Sequence, residues 1–342
     1  MSKIKSLHIT PFVFKTGKRG GGERYVQQLC ASLEEVGVEV SLVECKNFFG
    51  FRIFGEAGKA LESHNFFRLL SHTKCFDVIH VHQLNRETFT VAFFLSKLAR
   101  IPLVLTDHGG TSRNLFRLFG KLRLKGLSAI LAVSPWSMHD IDPNGVVIVN
   151  KVIWGGGEHI GVGGTHNFAH RDFLFLGRLL PHKGAHIVIE ALPENASLVV
   201  AGERLDKEYF ERLTILAQGK KVDFIEPPDD SALTDLYKSV KTFLIPSVNT
   251  FENRTFARPE LLGIVGLESL FAGTQILGSD LGGLGDLLRA SGQTLVEPGN
   301  VSAWKLAMAN AMTSSEASSK KPLFTWKYSA EKCLETYREI LT

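Results

Sequence analysis

The sequence is poor in cysteine. Four stand in 342 residues, at Cys30, Cys45, Cys75 and Cys333, far apart and with no CxxC pair or Cys/His cluster. That argues against a disulfide scaffold and a structural zinc site, and it fits a reducing compartment. Long apolar runs are missing as well. No stretch reaches the ~18 residues that a membrane span needs. The apolar stretch that follows Lys3 and Lys5 is short and stops at Pro11, which reads as a first strand and not as a secretory leader. Net charge is small, at +4, so the whole chain lacks the basic excess of a nucleic-acid binder. Nor has it the polar, aromatic-poor composition of a disordered chain, since 44% of residues are hydrophobic and 10% aromatic.

What is present suits two domains, because single cores cluster near ~100–200 residues. Charge divides unevenly between them. Residues 1–150 hold 19 Lys and Arg against 12 Asp and Glu, and residues 151–342 hold 20 against 23. A basic first half suits an anionic partner such as a lipid surface or a phosphorylated acceptor; ordinary solvation of exposed faces is the plainer explanation.

Along the chain, strand, turn and helix repeat. Ile4–Thr10 reads as a strand. Gly17 to Gly22 form a glycine-rich loop, and Val26, Leu29, Cys30 and Leu33 recur at helical spacing until Gly37. Val38–Val43, Phe76–Val81, Leu103–Thr106 and Ala129–Val133 read as further buried strands. Residues 151–170 are rich in glycine and read as an interdomain linker, with His159, His166 and His170 as solvated linker histidines. The alternation then restarts: strands at Phe173–Leu176, Ser197–Ala201, Val222–Ile225, Thr242–Pro246 and Thr274–Gly278, and helices at Gly184–Leu192, Gly263–Phe271 and Trp326–Leu341. Short apolar strands alternating with helices predict α/β units with parallel sheets, whose ligands sit at the carboxyl ends of strands.

Four segments bring chemistry to those ends. In Gly177-Arg178-Leu179-Leu180-Pro181-His182-Lys183-Gly184, two cations five residues apart precede a helix. With the helix N-terminus they can neutralise a diphosphate; an exposed loop with two ordinary cations fits as well. In Pro259 to Glu268, two carboxylates stand eight residues apart, Glu260 before a helix and Glu268 within its apolar stretch. Ribose hydroxyls are good donors to Glu268 and sugar hydroxyls to Glu260, while a cap or salt bridge is the structural alternative. Gly20-Gly21-Gly22 would let backbone approach a phosphate or sugar. His108, in Thr106-Asp107-His108-Gly109, would line a cleft or serve structure alone. Asp140-Ile141-Asp142 reads as a solvated helix end and turn, not a metal site.

Taken in order, these segments resemble the GT4 glycosyltransferases of the GT-B fold. The likeness also takes in Gly21-Gly22-Glu23-Arg24, Phe76-Asp77-Val78-Ile79-His80-Val81-His82, Ala132-Val133-Ser134 and Gly282-Gly283, and spans nearly the whole chain. The resemblance implies two Rossmann-like domains facing across an interdomain cleft. Residues 1–152 would form the acceptor-side domain, 153–170 the linker and 171–325 the nucleotide-sugar-binding domain, with 326–342 a helix returning to the first. It implies sugar transfer with retention from a nucleotide-sugar donor, a UDP-sugar before a GDP-sugar, to a glycan, lipid-linked glycan or small molecule, with no metal or resident cofactor. Carried over by motif, Arg178 and Lys183 would bind the diphosphate, Glu268 the ribose and Glu260 the donor sugar. Leu261, Leu262 and Gly263 would line the donor site, His108 would sit by the sugar, Gly21 and Gly22 by the phosphate, and the Ile225 backbone by the base.

Three departures accompany the likeness. Leu261 and Leu262 stand where the family has glycine and an aromatic residue. The segment Val248–Pro259 is longer than usual and carries Glu252, a competing carboxylate. Asn150-Lys151 replaces the family's Asn-Gly. Two binding features stand outside the motifs. Arg113, Arg117, Lys121 and Lys125 recur every four residues among apolar ones, and if helical they would form a basic amphipathic face for anionic lipid or a merely solvated one. Phe48 to Phe54 would form an exposed apolar loop or pack in the core. The expected location is the cytoplasm, with or without peripheral contact at the inner membrane face. A weakly catalytic sugar-nucleotide-binding subunit and a GT-B epimerase or phosphorylase are the competing functions.

Overall fold

Residues Ser6–Thr10 of the first strand are all buried, as expected for a parallel strand covered on both faces by helices. The same logic builds the rest of the computed structural model, which describes residues 3–12, 20–47, 50–54, 60–63, 66–84, 86–109, 124–256, 258–313 and 324–342. Two units result, one of residues 1–155 with 326–342 and the other of residues 156–325. Residues 156–170, read above as linker, group with the second unit.

The first unit contains β1 (Lys5–Thr10), α1 (Gly21–Glu35), β2 (Glu39–Asn47), β3 (Gly50–Phe54), β4 (Ala60–Ser63), α2 (Phe66–Thr73) and β5 (Val78–His82). It continues with α3 (Arg86–Ala99), β6 (Leu103–Thr106), β7 (Ala129–Ala132), α4 (Pro135–Ile141) and β8 (Val149–Val152). Strands β2-β1-β5-β6-β7-β8 are neighbours in that order and parallel. The parallel alternation was legible; the antiparallel extension of β2 by β3 and β4 was not. Residues 50–54, read as loop or core, are therefore a strand, and Phe48 and Phe49 lie outside the described residues. So do Arg113, Arg117 and Lys121 of the basic face, whereas Lys125 is described and exposed.

The second unit contains β9 (Arg171–Leu176), α5 (Ala185–Ala191), β10 (Ser197–Ala201), α6 (Lys207–Leu216), β11 (Lys221–Ile225), α7 (Asp230–Lys238) and β12 (Val240–Ile245). After these come β13 (Thr250–Phe251), β14 (Arg254–Thr255), α8 (Ile264–Ala272), β15 (Gln275–Ser279), α9 (Gly282–Ser291), β16 (Thr294–Val296) and α10 (Val301–Thr313). Its main sheet runs β11-β10-β9-β12-β15-β16, all parallel. Phe173, Leu198, Leu244 and Leu277 from four of these strands meet Trp304 and Met308 of α10 in the core.

The last helix, α11 (Trp326–Leu341), belongs to the first unit. Trp326 meets Tyr25 of α1 edge-on at 5.0 Å, and Ser329 Oγ accepts the Gly155 N–H at 2.9 Å. Its buried Trp326, Ala330, Cys333 and Tyr337 recur at helical spacing, so one stripe of α11 faces the core. Among the described residues, no helix is long and apolar enough to cross a membrane.

Candidate functional site

In an open α/β sheet, ligands bind where the strand order reverses, beyond the carboxyl ends of the two strands that flank the reversal. In the second unit the reversal lies between β9 and β12. Arg178 follows β9 by two residues and is exposed. Lys183 ends the 3-10 turn Pro181–Lys183 that leads into α5. That turn lies hard against the end of β12: Val248 N–H donates to the His182 carbonyl at 2.9 Å. Gly184 permits the approach. Its φ is +76°, and a Cβ there would stand 1.8 Å from the Pro246 carbonyl oxygen, so no other residue fits.

Glu260 reaches the same place from the loop before α8. Its carbonyl accepts the Gly283 N–H at the start of α9, at 2.9 Å. Gly282 has φ +57°, and a Cβ on it would lie 2.6 Å from that carbonyl oxygen. The Glu260 carboxylate is then paired directly with the Lys183 ammonium, with 22% and 23% of the two side chains exposed. Burial pushes the Glu260 carboxyl up, but the charge and hydrogen bond of Lys183, with His182 and Arg178 beside it, outweigh burial and hold it below its usual range. His182 is the member of this cluster to which the sequence reading gave no role. Burial, then Lys183, then Arg178 lower its imidazole to about 4 against the opposing pull of Glu260, and it meets the Phe256 ring at 5.4 Å. Arg178, His182, Lys183 and Glu260 thus form one electrostatic group. Among the described residues Arg178 has no ion-pair partner.

Glu268 has partners of its own in the second unit. It is completely buried in α8. Its Oε1 contacts His159 Nε2 at 3.0 Å, and its Oε2 accepts the Tyr237 hydroxyl at 3.0 Å. Both oxygens therefore have protein partners. His159 is buried, not solvated, because the turn Glu158–Ile160 lies along α7 and α8; His166 and His170 are exposed. Leu261 and Leu262 are buried. Gly263, at φ +78°, caps α8 without a side-chain hydrogen bond. The Ile225 carbonyl accepts the Gly202 N–H at 3.1 Å. Glu252 is paired with Arg212 at the surface, and Phe251 packs between His186 and Tyr209, so the longer segment forms the β13–β14 hairpin against α5 and α6.

In the first unit the order reverses between β1 and β5. The N–H groups of Gly21 and Gly22 open α1 without a side-chain cap. His108 follows β6, partly exposed, between Tyr25 at 4.8 Å and Phe12 at 5.8 Å. Beneath it lies a cluster that sequence spacing hid. His80 and His82 stand two apart on β5 and share a face, and His8 of β1 is in register with His80. His82 Nδ1 is 3.2 Å from His108 Nε2, and His82 Nε2 is 2.8 Å from His8 Nδ1. His80 Nδ1 is 2.7 Å from the Tyr337 hydroxyl, and Cys333 Sγ lies 4.0 Å from the same nitrogen. Burial lowers all four imidazoles, His8 to about 3 and His108 to about 4, and in His80 and His82 their imidazole neighbours add to it. A Cys/His group therefore exists in space although none exists in sequence.

Each of His8, His80 and His82 has a ring nitrogen within 4.8 Å of the others, a set that could suit a metal. Two nitrogens bound ~2.0–2.1 Å from one tetrahedral zinc stand about 3.3 Å apart. The 2.8 Å between His8 and His82 is a hydrogen-bond length instead. Asp142 is likewise not a solvated turn residue. It is buried, and its oxygens accept the Val146 and Val147 N–H groups at 2.9 and 2.8 Å.

Comparison with known proteins adds to this geometry. Residues 166–322 match the family described as glycosyl transferases group 1, and residues 19–148 match glycosyltransferase family 4. An uncharacterised glycosyltransferase of Methanocaldococcus jannaschii is 37% identical over 122 residues, 34% of this chain and 29% of that protein. The D-inositol 3-phosphate glycosyltransferase of Rhodococcus erythropolis is 29% identical over 192 residues, 48% of this chain and 40% of that protein. The matched stretch thus spans under half the length of either relative. Among solved structures, the Anabaena protein HepE in complex with UDP covers 98% of this chain and 100% of its own, with TM-score 0.69 and 18% identity. AviGT4, a glycosyltransferase of avilamycin A biosynthesis, covers 99% and 98%, with TM-score 0.70 and 18% identity. These structural likenesses establish the GT-B fold.

Proposed function

The chain belongs to the group 1, family 4 glycosyltransferases, and from that membership we propose that it transfers a sugar from a nucleotide-diphosphate sugar to an acceptor hydroxyl with retention of configuration. The observation that carries the reading is the Arg178–His182–Lys183–Glu260 group beyond β9 and β12. A donor diphosphate meets Arg178 and Lys183 there, and Glu260 accepts hydrogen bonds from sugar hydroxyls. In the free protein Lys183 and Glu260 neutralise each other. A diphosphate draws Lys183 to itself and releases Glu260 for the sugar. As the sugar–phosphate bond breaks, negative charge grows on the leaving diphosphate. Arg178 and Lys183 stabilise that charge in place, the part that a divalent cation plays in other transferases. A UDP-sugar is the preferred donor, in keeping with the UDP and UDP-glucose complexes of HepE. A glycan, lipid-linked glycan or small molecule is the acceptor.

A second reading, a sugar-nucleotide-binding subunit with little turnover, draws on two observations. Glu268 has both oxygens engaged by His159 and Tyr237, and Leu261 and Leu262 are buried. Thermal melting with UDP, GDP, ADP and their sugar conjugates, followed by assay of nucleotide release, separates the two. A ligand at ~100 times its dissociation constant adds about 2.7 kcal/mol. A selective shift that disappears in Lys183→Ala, with nucleotide released on adding acceptor, is the expected result. A shift without turnover favours the second reading, and no shift with any nucleotide refutes both.

A further inference from the structure

We propose that His82, His8 and Tyr337 are positioning residues that hold His108 in one tautomer, with the proton on Nε2 and a bare Nδ1 facing substrate hydroxyls. The inference concerns the first unit's interior, and only its last step, the substrate, rests on the proposed function.

A neutral imidazole has one donor nitrogen and one acceptor. In a chain of neutral imidazoles, fixing one hydrogen bond therefore fixes all of them. The chain here runs from His108 Nε2 to His82 Nδ1 at 3.2 Å, and from His82 Nε2 to His8 Nδ1 at 2.8 Å. His8 Nε2 lies 3.1 Å from Ser6 Oγ and 3.4 Å from the Tyr337 hydroxyl. That hydroxyl lies 2.7 Å from His80 Nδ1, and His80 Nε2 lies 2.8 Å from Thr106 Oγ1. Full burial keeps His8, His80 and His82 uncharged at neutral pH.

The direction follows from Tyr337, whose hydroxyl has a single proton. In the proposed direction that proton goes to the short contact, His80 Nδ1, and the Tyr337 oxygen receives the longer contact from His8. His80 then donates from Nε2 to Thr106. In that direction His8 Nε2 carries a proton, shared between Ser6 Oγ and the Tyr337 oxygen. His8 Nδ1 accepts from His82 Nε2, and His82 Nδ1 accepts from His108 Nε2. His108 is left with a bare Nδ1, which has no hydrogen-bond partner among the described residues. That atom can accept a hydrogen bond from a sugar hydroxyl and cannot donate one. The terminal helix α11 supplies Tyr337, so the far end of the chain sets the polarity of a strand-end histidine.

The test is nitrogen-15 NMR of the full chain labelled at histidine, with His108→Gln assigning its signals. Wild type should show His108 protonated at Nε2 and bare at Nδ1, and metal analysis should find no stoichiometric ion. Tyr337→Phe removes the anchor and keeps the ring, and His108 should then show averaged or reversed tautomer signals. In the same variant, kcat/KM for sugar transfer should fall about tenfold while the UDP dissociation constant stays within twofold. His82→Phe should give the same spectrum change, and Tyr337→Phe decides alone where His82→Phe does not fold. A wild-type His108 protonated at Nδ1, an unchanged tautomer in Tyr337→Phe, or a bound metal whose removal moves the His8 and His82 signals would each overturn the proposal. Lack of sugar transfer by the wild type would overturn the proposed function only, because the tautomer is read on the free protein.

Discussion

Replacing Lys183 by alanine separates chemistry from folding better than any other single change in the second unit. Lys183 and Glu260 form a charge-assisted pair with roughly a quarter of each side chain exposed. A hydrogen bond to a charged group contributes about 1.5–3 kcal/mol, and partial exposure places this one near the lower end, about 1.5–2 kcal/mol. Melting temperature falls about 2–4 °C per kcal/mol in a unit of this size, so the expected loss is about 3–8 °C. The effect on turnover is larger. Removing one preorganised group from a developing negative charge costs about 10²–10³ in kcat, or roughly 2.7–4 kcal/mol. At 25 °C the variant is therefore folded and nearly inactive. Initial rates of UDP release at saturating donor, beside melting curves with and without UDP, measure both quantities. Lys183→Met, which keeps the aliphatic stem, should lose the same activity and less stability. A folded Lys183→Ala protein with kcat within threefold of its parent would refute the assignment, whatever its melting temperature.

Four further outcomes follow from the same contacts. Because the folded Glu260 carboxyl lies below its ordinary 4.5, its contribution to stability is complete above about pH 4.5 and lost as pH falls through the folded value; Glu260→Gln should flatten that acid limb in urea titrations. His8 at about 3 and His108 at about 4 bind protons in the unfolded chain before they do so in the folded one. Stability of the first unit should accordingly fall as pH drops below about 6.5, by up to about 1.4 kcal/mol per pH unit for each histidine, and pH-independent unfolding between 6.5 and 5 would contradict the neutral cluster. Gly184→Ala puts a Cβ 1.8 Å from the Pro246 carbonyl in a left-handed backbone; it should destabilise by at least ~1–3 kcal/mol and weaken UDP binding, as calorimetry would show. Tyr237→Phe removes one donor from the buried Glu268 carboxylate and should cost about 1.5–3 kcal/mol of stability, measured by denaturant unfolding.

The parts of the fold that were legible rest on local pattern. Short, largely apolar runs between turn signals gave β1, β6, β7, β9 and β10, since a strand buried on both faces reads as a near-continuous hydrophobic stretch. The stripe of Trp326, Ala330, Cys333 and Tyr337 gave α11. Strands β3 and β4 were not legible, because the aromatic run Phe48 to Phe54 is broken by Gly50 and Arg52 and its pairing is antiparallel within an otherwise parallel pattern. The candidate site divides the same way. Arg178, Lys183 and Glu260 were read as candidates because each follows a strand or precedes a helix, and the structure brings the three together.

Residues whose roles depend on partners distant in sequence escaped. Glu268 was read as a ribose acceptor or, alternatively, as a cap or salt-bridge residue, because an acid in an apolar helix needs donors. The donors are Tyr237, 31 residues away, and His159, 109 residues away. His159 in turn sits among glycines that suggested solvent. His8, His80 and His82 failed for the opposite reason: histidines within apolar strands carry no signal until the register is known. Register sets His8 beside His80, and the return of α11 sets Tyr337 over both. The two reversal points are therefore built on different physics. In the second unit exposed and half-buried charges are grouped, and the proposed diphosphate would re-pair them. In the first, burial strips charge from four imidazoles and leaves direction of hydrogen bonding as the only property they can transmit. A charge-reversing change such as Lys183→Glu should act through affinity for the nucleotide, while Tyr337→Phe should leave that affinity alone and act on how a hydroxyl is received at His108.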